Sequence, residues 1–300
     1  MKNILLFIRL SRPHFLLGGI LLYALGAGIA NYTGVQINWG VYLIGQVWGL
    51  LIQLSTHYLN EYFDNYADIA NPNRTPFSGG SGAIGPGKLT RSVALWAAIT
   101  CLALAASFTV LLIQYAHLTP VTLLIMGMIF LGAFFYAVPP VRLESTGYGE
   151  LTTSIIVANL VPAFAYTLQV GEISRLLAIY TFPLTFLHMA MLIAIELPDY
   201  ATDLKYEKRT MLVRIGWQQG MRFHNILILC AYLLLVVAVM RGLSIYIALS
   251  AFLTLPIGVL QVWSMNRIAA GAKPNWFALT LTGVVLFGFT SYFLTFAFWI

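Results

Sequence analysis

Oxygen-bearing side chains occur in two groups whose spacing follows the turn of a helix. Residues four apart, or three and then four apart, point along one face of a helix. Each group therefore predicts a column of oxygen ligands, provided that the helix continues through it. The first column is Asn60, Asp64 and Asp68, with Glu61 beside it, and the second is Glu196, Asp199 and Asp203.

Stacked carboxylates repel one another, so two such columns suggest that cations bind between them. Mg²⁺ prefers oxygen ligands and is commonly held by one or two carboxylates together with substrate phosphates. The columns therefore predict a site for Mg²⁺, with two ions, and a diphosphate.

Basic residues in the adjoining loops are expected to neutralise the remaining phosphate charge, since arginine offers two parallel hydrogen bonds to such a group. These residues are Arg74, Lys88, Arg142, Lys205 and Arg209. Aromatic rings close in sequence to the site, such as Tyr136, are suited to stabilise a developing carbocation. The net charge of +6 suits anionic headgroups or an anionic substrate and does not suggest nucleic acid.

The elements that position these side chains are membrane helices. Only 9% of residues are charged and the mean hydropathy is +0.84, which excludes an ordinary soluble domain. Apolar segments long enough to span a bilayer predict an all-α, polytopic bundle of nine transmembrane helices in a single domain, 1–300. The spans are expected near 14–33, 39–61, 92–115, 119–138, 148–170, 174–196, 222–241, 245–264 and 276–298.

The basic residues predict the orientation of this bundle. With nine spans, fourteen of the sixteen Lys and Arg residues lie on the side of the N-terminus, and only Arg175 and Arg241 lie opposite. Because basic loops stay in the cytoplasm, the N-terminus and both acidic columns are expected there. The second span also carries Gln46, Gln53 and His57 in line with Asn60, which predicts a polar cavity reaching into the bilayer.

The segment after the first column invites another interpretation. Residues 82–88 fit the start of a nucleotide-binding P-loop, but Leu89 stands where that loop needs Ser or Thr, and no strand precedes it. A mobile, basic, glycine-rich cover over the cavity is expected instead. The two cysteines, Cys101 and Cys230, fall inside spans and predict packing rather than a disulfide or a metal site.

At these motifs the sequence resembles the UbiA superfamily of intramembrane aromatic prenyltransferases. Residues 60–68 match its N-x-x-x-D-x-x-x-D motif, and residues 199–203 match its D-x-x-x-D motif after the sixth helix. With nine spans, the resemblance covers essentially the whole chain. Segments 135–151 and 198–216 are most similar to the 1,4-dihydroxy-2-naphthoate polyprenyltransferase branch, which implies a step of menaquinone synthesis.

This resemblance implies Mg²⁺-dependent transfer of a polyprenyl group from a prenyl diphosphate donor to an aromatic acceptor, in contact with lipid, in a bacterial or archaeal cell membrane. It implies that the catalytic and metal-binding residues of the Mg²⁺-diphosphate site are Asn60, Asp64, Asp68, Asp199 and Asp203. It also implies basic residues near the diphosphate. The substrate-binding residues expected overall are Arg74, Arg142, Lys205, Lys208, Arg209, Glu196 and Tyr136.

Departures from the family pattern leave the acceptor open. Glu196 and Pro198 stand where naphthoate enzymes often have Asn-Asn-x-Arg-Asp, Glu61 replaces a frequent Asp, and Pro198 is expected to bend or end the sixth span. Another acceptor, such as 4-hydroxybenzoate, is therefore an alternative. A divalent-cation transporter is an alternative from a different class, although the opposite membrane side carries almost no polar groups. A non-catalytic lipid-binding protein is a third.

Overall fold

The structure is a computed structural model that describes residues 2–64, 68, 70–242 and 244–300. The described residues form helices and connecting loops, with one isolated bridge between Ile84 and Leu89. The helices in chain order are α1 (Lys2–Leu10), α2 (Pro13–Tyr32), α3 (Trp39–Phe63), α4 (Arg91–Tyr115), α5 (Pro120–Ala137), α6 (Gly149–Val170), α7 (Arg175–Glu196), α8 (Tyr200–Lys205), α9 (Met211–Ile215), α10 (Trp217–Met240), α11 (Ile245–Phe252), α12 (Leu255–Ala269) and α13 (Trp276–Trp299).

Eight stretches of the described chain are long and apolar enough to cross a membrane, with α11 and α12 together forming one of them. The sequence predicted nine spans, and the difference is α3. This helix is 25 residues long, but Gln46 and Gln53 lower the mean hydropathy of its apolar stretch. A helical, multi-pass membrane fold is thus confirmed, whereas the count of nine spans is not.

Apolar side chains divide between the lipid-facing surface and the bundle interior. Ile113 and Leu229 point outward, with 62% and 59% of their surface exposed, as expected where lipid replaces water. Inside, Leu25 of α2 and Leu184 of α7 are completely buried in one core. The core therefore sits between helices from both halves of the chain.

Close helix contact in this core depends on a glycine. A Cβ atom at Gly26 of α2 would lie only 2.0 Å from the carbonyl oxygen of Pro162 in α6. Small residues allow such an approach in membrane proteins, where packing rather than water exclusion drives helix association. Gly26 therefore lets α2 and α6 cross with their backbones in contact.

The two helices that carry the acidic columns both end within them. The expected continuous first column is wrong in this respect, because α3 ends at Phe63 and Asp64 is its C-terminal cap, while 65–67 lie outside the described residues. Helix α7 ends at Glu196, just before Pro198, and Asp199 is the N-terminal cap of α8. The expected effect of Pro198 is confirmed, and the second column is built from the end of α7 and the start of α8.

Helix α6 contains a π-helical turn, Ile156–Leu160. Such a turn inserts one extra residue into an α-helix and shifts the faces of its two halves relative to each other. Glu150, Ser154 and Asn159 are four and then five residues apart, and the extra residue brings all three onto the side that faces α7. All three contact α7 side chains, so this face of α6 is polar over half its length.

Candidate active site

A lysine side chain occupies the middle of the acidic residues. The Lys208 Nζ atom lies 2.5 Å from Asp64 Oδ2 and 3.9 Å from Glu144 Oε2. Arg142 donates to the other oxygen of Glu144 at 3.1 Å. The cap of α3, the loop before α6 and the loop after α8 therefore meet at one ammonium group. Lys208 and Arg142 were predicted to lie near the diphosphate, and both lie beside carboxylates here.

The charges at this point are strongly coupled. Burial disfavours the Lys208 ammonium, but Asp64, Glu144 and Asp203 outweigh that effect and hold the pKa of Lys208 well above its usual value. For Asp203, burial is the main cause that raises the carboxyl pKa to about 7, with Lys208 opposing the rise. The acids at this point therefore exceed the cations available to them.

Asp199 is bound on both of its oxygen atoms by the loop at 71–90. The side-chain amide of Asn71 donates to Oδ1, and the backbone N–H of Gly79 donates to Oδ2 at 3.1 Å. Burial nevertheless raises the pKa of Asp199 to about 6, and the negative charge of Asp64 adds to the rise. The interaction with Asp64 shows that the structure brings the two acidic columns together.

Glu61 joins the same loop to the start of the chain. Arg12, in the turn between α1 and α2, donates to Glu61 Oε1, and so does the backbone N–H of Ser81. The Ser81 hydroxyl donates to Oε2 at 2.8 Å. Glu61 is only 3% exposed, so its negative charge is balanced almost entirely by these groups. This ion pair connects α1, α3 and the loop.

The loop at 71–90 lies over the acids and is hydrogen-bonded to Asp199 and Glu61; we call it the roof. From its glycines, the sequence predicted a mobile cover at this place. Gly79 and Gly80 have positive φ angles of 72° and 70°, which glycine adopts without steric cost. A Cβ atom at Gly80 would lie 2.0 Å from Asp68 Oδ2, so the backbone passes directly over that carboxylate. Lys88 donates to the Gly82 carbonyl at 2.9 Å rather than to an acid.

A cavity of about 470 Å³ opens beside this roof. Its polar lining is basic, with Arg9, Arg12 and Arg74 around it, and Phe15 and Phe77 supply apolar surface. Burial lowers the pKa of Arg74, although Asp68 and Glu61 act against that change. The predicted phosphate-binding residue Arg74 therefore faces a space with the size and charge for an anionic group.

Other predicted residues lie at different distances from the acids. Tyr136 is within electrostatic reach of Glu144 and Lys208, as expected from its place in the sequence. Lys205 and Arg209 are exposed, and the Lys205 ammonium lies 5.8 Å from the ring centre of Tyr206. The structure does not bring these two cations into the described cluster.

Several residues of the cluster could not be found from spacing. Arg12, Asn71, Glu144 and Glu150 reach it from separate parts of the chain. For the two glutamates a signal existed, because acidic residues are scarce in this chain and both lie on the predicted cytoplasmic side. No periodic pattern marks Arg12 or Asn71, whose roles depend on how the loops fold.

The oxygen atoms of the cluster suit a hard cation such as Mg²⁺. Asn60 Oδ1 and Asp68 Oδ2 are buried and accept no hydrogen bond from any described residue, so each has lone pairs available. Within the described ranges, no group of three or more His, Cys, Asp or Glu side chains is arranged to hold an ion. The two unpartnered oxygen atoms could supply part of the shell of Mg²⁺, which is usually completed by water and substrate phosphates.

Solved structures share this fold. A UbiA homolog from Archaeoglobus fulgidus bound to GPP and Mg²⁺ has a TM-score of 0.67 and 16% identity, covering 96% of this chain and 99% of its own. A UbiA homolog from Aeropyrum pernix K1, in its apo form, has a TM-score of 0.65 and 12% identity, covering 94% and 96%. Digeranylgeranylglyceryl phosphate synthase has a TM-score of 0.61 and 14% identity, covering 99% and 98%.

The family is shown by the sequence itself. A comparison with curated proteins found no match. The model of the UbiA prenyltransferase family matches residues 20–284, which is most of the chain and includes both acidic columns. The resemblance seen in the two motifs is thereby confirmed at the level of the family, while the naphthoate branch stays a prediction. The chain belongs to the UbiA prenyltransferase family, and it is an enzyme of the prenyltransferase class.

Proposed function

We propose that this enzyme transfers a polyprenyl group from a prenyl diphosphate to 1,4-dihydroxy-2-naphthoate, a step of menaquinone synthesis, with Mg²⁺ as cofactor. The observation that carries the proposal is the meeting of two acidic columns, represented by Asp64 and Asp199, beside a cavity lined by arginines. Acids beside a basic cavity suit a ligand that is itself a metal-bound anion.

The donor headgroup would bind between the acids and the basic cavity. Arg12 and Arg74 supply guanidinium groups on one side, and Lys208 supplies an ammonium on the other. When bound, two Mg²⁺ ions would neutralise charge that develops on the diphosphate as the allylic C–O bond breaks. The residues that would hold them are Asn60, Asp64, Asp68, Asp199 and Asp203.

Solved relatives support the choice of donor and cofactor. The homolog from Archaeoglobus fulgidus has been solved bound to GPP and Mg²⁺ and also bound to DMAPP and Mg²⁺. This chain shares that fold over almost its whole length, and we propose that its acidic cluster binds the headgroup. The identity of 16% carries the fold alone, so the acceptor rests on the resemblance of segments 135–151 and 198–216.

The chain's own residues would also protect the reaction from water. The loop at 71–90 covers the acids, with Ser78, Gly79 and Ser81 buried beneath its surface. Enclosure of this kind excludes water that would otherwise quench an allylic cation. Tyr136 lies near the cluster, where its ring face could stabilise that cation. We place this side of the membrane, with the N-terminus, in the cytoplasm.

The test is product formation by the purified full-length protein in lipid nanodiscs. Geranyl diphosphate or a longer donor, Mg²⁺ and a panel including 1,4-dihydroxy-2-naphthoate and 4-hydroxybenzoate should give one prenylated product by mass measurement. With the naphthoate, the product should have lost the carboxylate. Prenylation of 4-hydroxybenzoate alone would overturn the acceptor assignment, and Mg²⁺ flux without any product would favour a transporter.

Matched variants test the assigned site. Asp64→Asn and Asp199→Asn each keep the size of the side chain and remove its charge, so both should lose at least about a hundredfold in kcat. The control is Glu172→Gln, which makes the same kind of change at an exposed acid outside the cluster. Wild-type rates in both Asp variants would remove the proposed metal role of these residues.

A further inference from the structure

Helix α1 has an apolar side that the described residues leave exposed. Ile4 and Leu5 are each 65% exposed, and Ile8 is 51% exposed. Because each residue rotates an α-helix by about 100°, these three side chains lie within one narrow arc, which we call the outer face of α1. On the opposite side, Leu10 is completely buried in a core that includes Tyr58 of α3. An exposed apolar face of this kind marks a surface that contacts a membrane or another protein.

One edge of the outer face continues into the lipid-facing surface of α4. Phe7 and Tyr58 line an apolar groove of about 470 Å³ together with Val93, Trp96 and Cys101 of α4. The Trp96 side chain is 66% exposed, as is common for tryptophan at the border between lipid and water. From Val93 to Cys101 the groove follows α4 for about 12 Å. It therefore leads from the membrane surface toward the hydrocarbon, and lipid is the material that covers the outer face.

The other edge of the outer face is basic. By the same rotation, Lys2 and Arg9 lie side by side next to Leu5, and both are exposed. The helix contains no acidic residue. Helices that lie in a membrane surface have this composition, with apolar residues toward the acyl chains and Lys or Arg toward the phosphate groups. The charge of α1 also favours an anionic lipid surface over a second copy of this chain, whose net charge is +6.

The same helix forms one wall of the basic cavity. Arg9, and Arg12 just after the helix, both line that cavity. The turn that follows α1 is fixed to α3, because Ser11 Oγ lies 2.6 Å from the Tyr58 hydroxyl and His57 Nδ1 lies 3.1 Å from the Ser11 carbonyl oxygen. One end of the helix is thus held by protein, while its outer face lies along lipid. The lipid contact therefore sets the tilt of the helix that carries Arg9.

We propose that α1 is a lipid-binding helix that lies in the bilayer surface on the side of the acidic cluster. Its outer face contacts acyl chains, and its basic edge, Lys2 and Arg9, contacts the phosphates of anionic phospholipids. This contact holds Arg9 in the wall of the basic cavity, so α1 positions a group that faces the donor headgroup. The link to donor binding rests on the proposed function, whereas the lipid contact does not.

Nitroxide labels on the full-length protein measure the lipid contact, in nanodiscs of equal parts phosphatidylcholine and phosphatidylglycerol. Ile4→Cys, Ile8→Cys and Lys2→Cys each supply one labelling site after Cys101 and Cys230 are replaced with Ala. The two labels on the outer face should be relaxed mainly by O₂, which concentrates in hydrocarbon, and the label on the basic edge mainly by a water-soluble nickel chelate. Equal access of the chelate to all three would overturn the proposal. Outer-face labels shielded from both reagents would overturn it too, because a protein would then cover this face.

The charge of the lipid tests the basic edge. In nanodiscs of phosphatidylcholine alone, the O₂ preference of the two outer-face labels should fall, because Lys2 and Arg9 lose their attraction to the surface. High salt should have the same effect in the anionic nanodiscs, since it screens that attraction. Identical label accessibility in both lipids would refute the contact between the basic edge and lipid phosphates.

The link to the cavity is tested by combining Ile4→Ser, Leu5→Ser and Ile8→Ser. The donor KM should rise about five- to tenfold, as for two coupled sites, with little change in kcat. The matched control combines Ile4→Leu, Leu5→Ile and Ile8→Leu, which keeps the apolar surface and should follow the wild type.

Thermal unfolding should be close to that of the wild type in both combined variants, because these side chains are mostly exposed. An unchanged donor KM in the serine variant would overturn the link to the cavity. A wild type that forms no product would overturn the proposed function, and the label measurements would still decide whether α1 binds lipid.

Discussion

The Lys208 ammonium lies 2.5 Å from the Asp64 carboxylate, so the chain places its own cation beside a proposed metal ligand. Glu144 shares this ammonium, and both groups are largely buried. Without Lys208 the acids would face one another with no positive charge between them. The lysine therefore holds the acidic columns together before any ion or substrate binds, at the cost of burying three charged groups.

Replacing Lys208 with Met should expose this role. Removing one partner of a buried ion pair costs about 3 to 5 kcal/mol, and here two carboxylates lose their counter-charge. We expect a lower melting temperature in EDTA and a marked recovery with Mg²⁺, together with a large loss of prenyl transfer. Thermal unfolding with and without Mg²⁺ is the measurement.

Lys205→Met is the control for this substitution, because Lys205 is exposed and sits three residues away. It should change the free energy of unfolding by no more than about 0.5 kcal/mol, so the melting temperature should hardly move. Equal effects of the two substitutions would show that net charge, rather than the position of Lys208, matters.

Gly79→Ala should damage the roof where it holds Asp199. A left-handed φ costs a residue with a Cβ atom about 1 to 2 kcal/mol, and the new Cβ would lie 3.0 Å from both Asn71 and Arg74 side-chain atoms. Gly87→Ala introduces the same strain, since its φ is 68°, but its Cβ would meet nothing within 4 Å. Both variants should lose stability, whereas only Gly79→Ala should raise the donor KM, by about tenfold for one lost hydrogen bond. A similar KM in both would show that the roof does not order the site.

Mg²⁺ affinity should fall as the pH falls from about 8 to 6. The pKa values of Asp199 and Asp203 are raised to about 6 and about 7, so both carboxyls take up protons in this range and must release them to bind a metal. Calorimetry in buffers of different ionisation enthalpy should detect proton release at pH 6.5 and little at pH 8.5. Affinity that is constant over this range would contradict the assignment.

The same pKa shifts predict how stability without metal varies with pH. Both folded-state values lie above the usual value of about 3.9 for Asp, so the folded state binds more protons than the unfolded state between roughly pH 4 and 7. Stability in EDTA should therefore rise as the pH is lowered from 8 to 6. Asp203→Asn should flatten that rise, and Glu172→Gln should leave it unchanged.

Glu61→Gln should weaken the contacts that Glu61 of α3 makes with Arg12, next to α1, and with Ser81 of the roof. Burial works against the Arg12 guanidinium, but Glu61 overcomes it and keeps the pKa of Arg12 raised. Neutralising Glu61 leaves that cation buried without its partner, so we expect about 3 to 5 kcal/mol of lost stability. Arg9→Gln, at an exposed arginine one turn earlier, is the control and should be nearly neutral. Denaturant unfolding in detergent measures both, and an equal small effect would mean that the ion pair is solvated.

Spacing along helices predicted the parts of the site that lie on helix ends. Asp64 and Asp199 could be found because a periodic pattern translates directly into position on a helix face. Their partners Asn71 and Lys208 could not be paired with them in advance, because each approaches from a loop that only tertiary folding places. The same reason applies to Arg12, which meets Glu61 across 49 positions of sequence.

Composition predicted the membrane fold but could not set the number of spans. Gln46 and Gln53 serve the bundle interior, where Gln53 donates to the Phe15 carbonyl at 2.9 Å, and they also lower the hydropathy of α3. The polar side chains that the interior needs therefore make this helix harder to recognise as a span from its hydropathy. The glycines of the roof predicted conformational freedom, and the structure adds that their positive φ angles allow close contact with Asp68 and Asp199.

The π-helical turn of α6 makes the packing of the second half of that helix, Val161–Val170, depend on a single residue of chain length. Each residue of an α-helix rotates the chain by about 100°. Deleting Ala158 would restore regular winding and turn the segment after it by that angle. Residues 162–168 are all buried, so each side chain would meet a different neighbour, and Gly26 of α2 would lose its partner Pro162. A single residue of chain length therefore sets how the second half of this helix fits into the interior of the bundle.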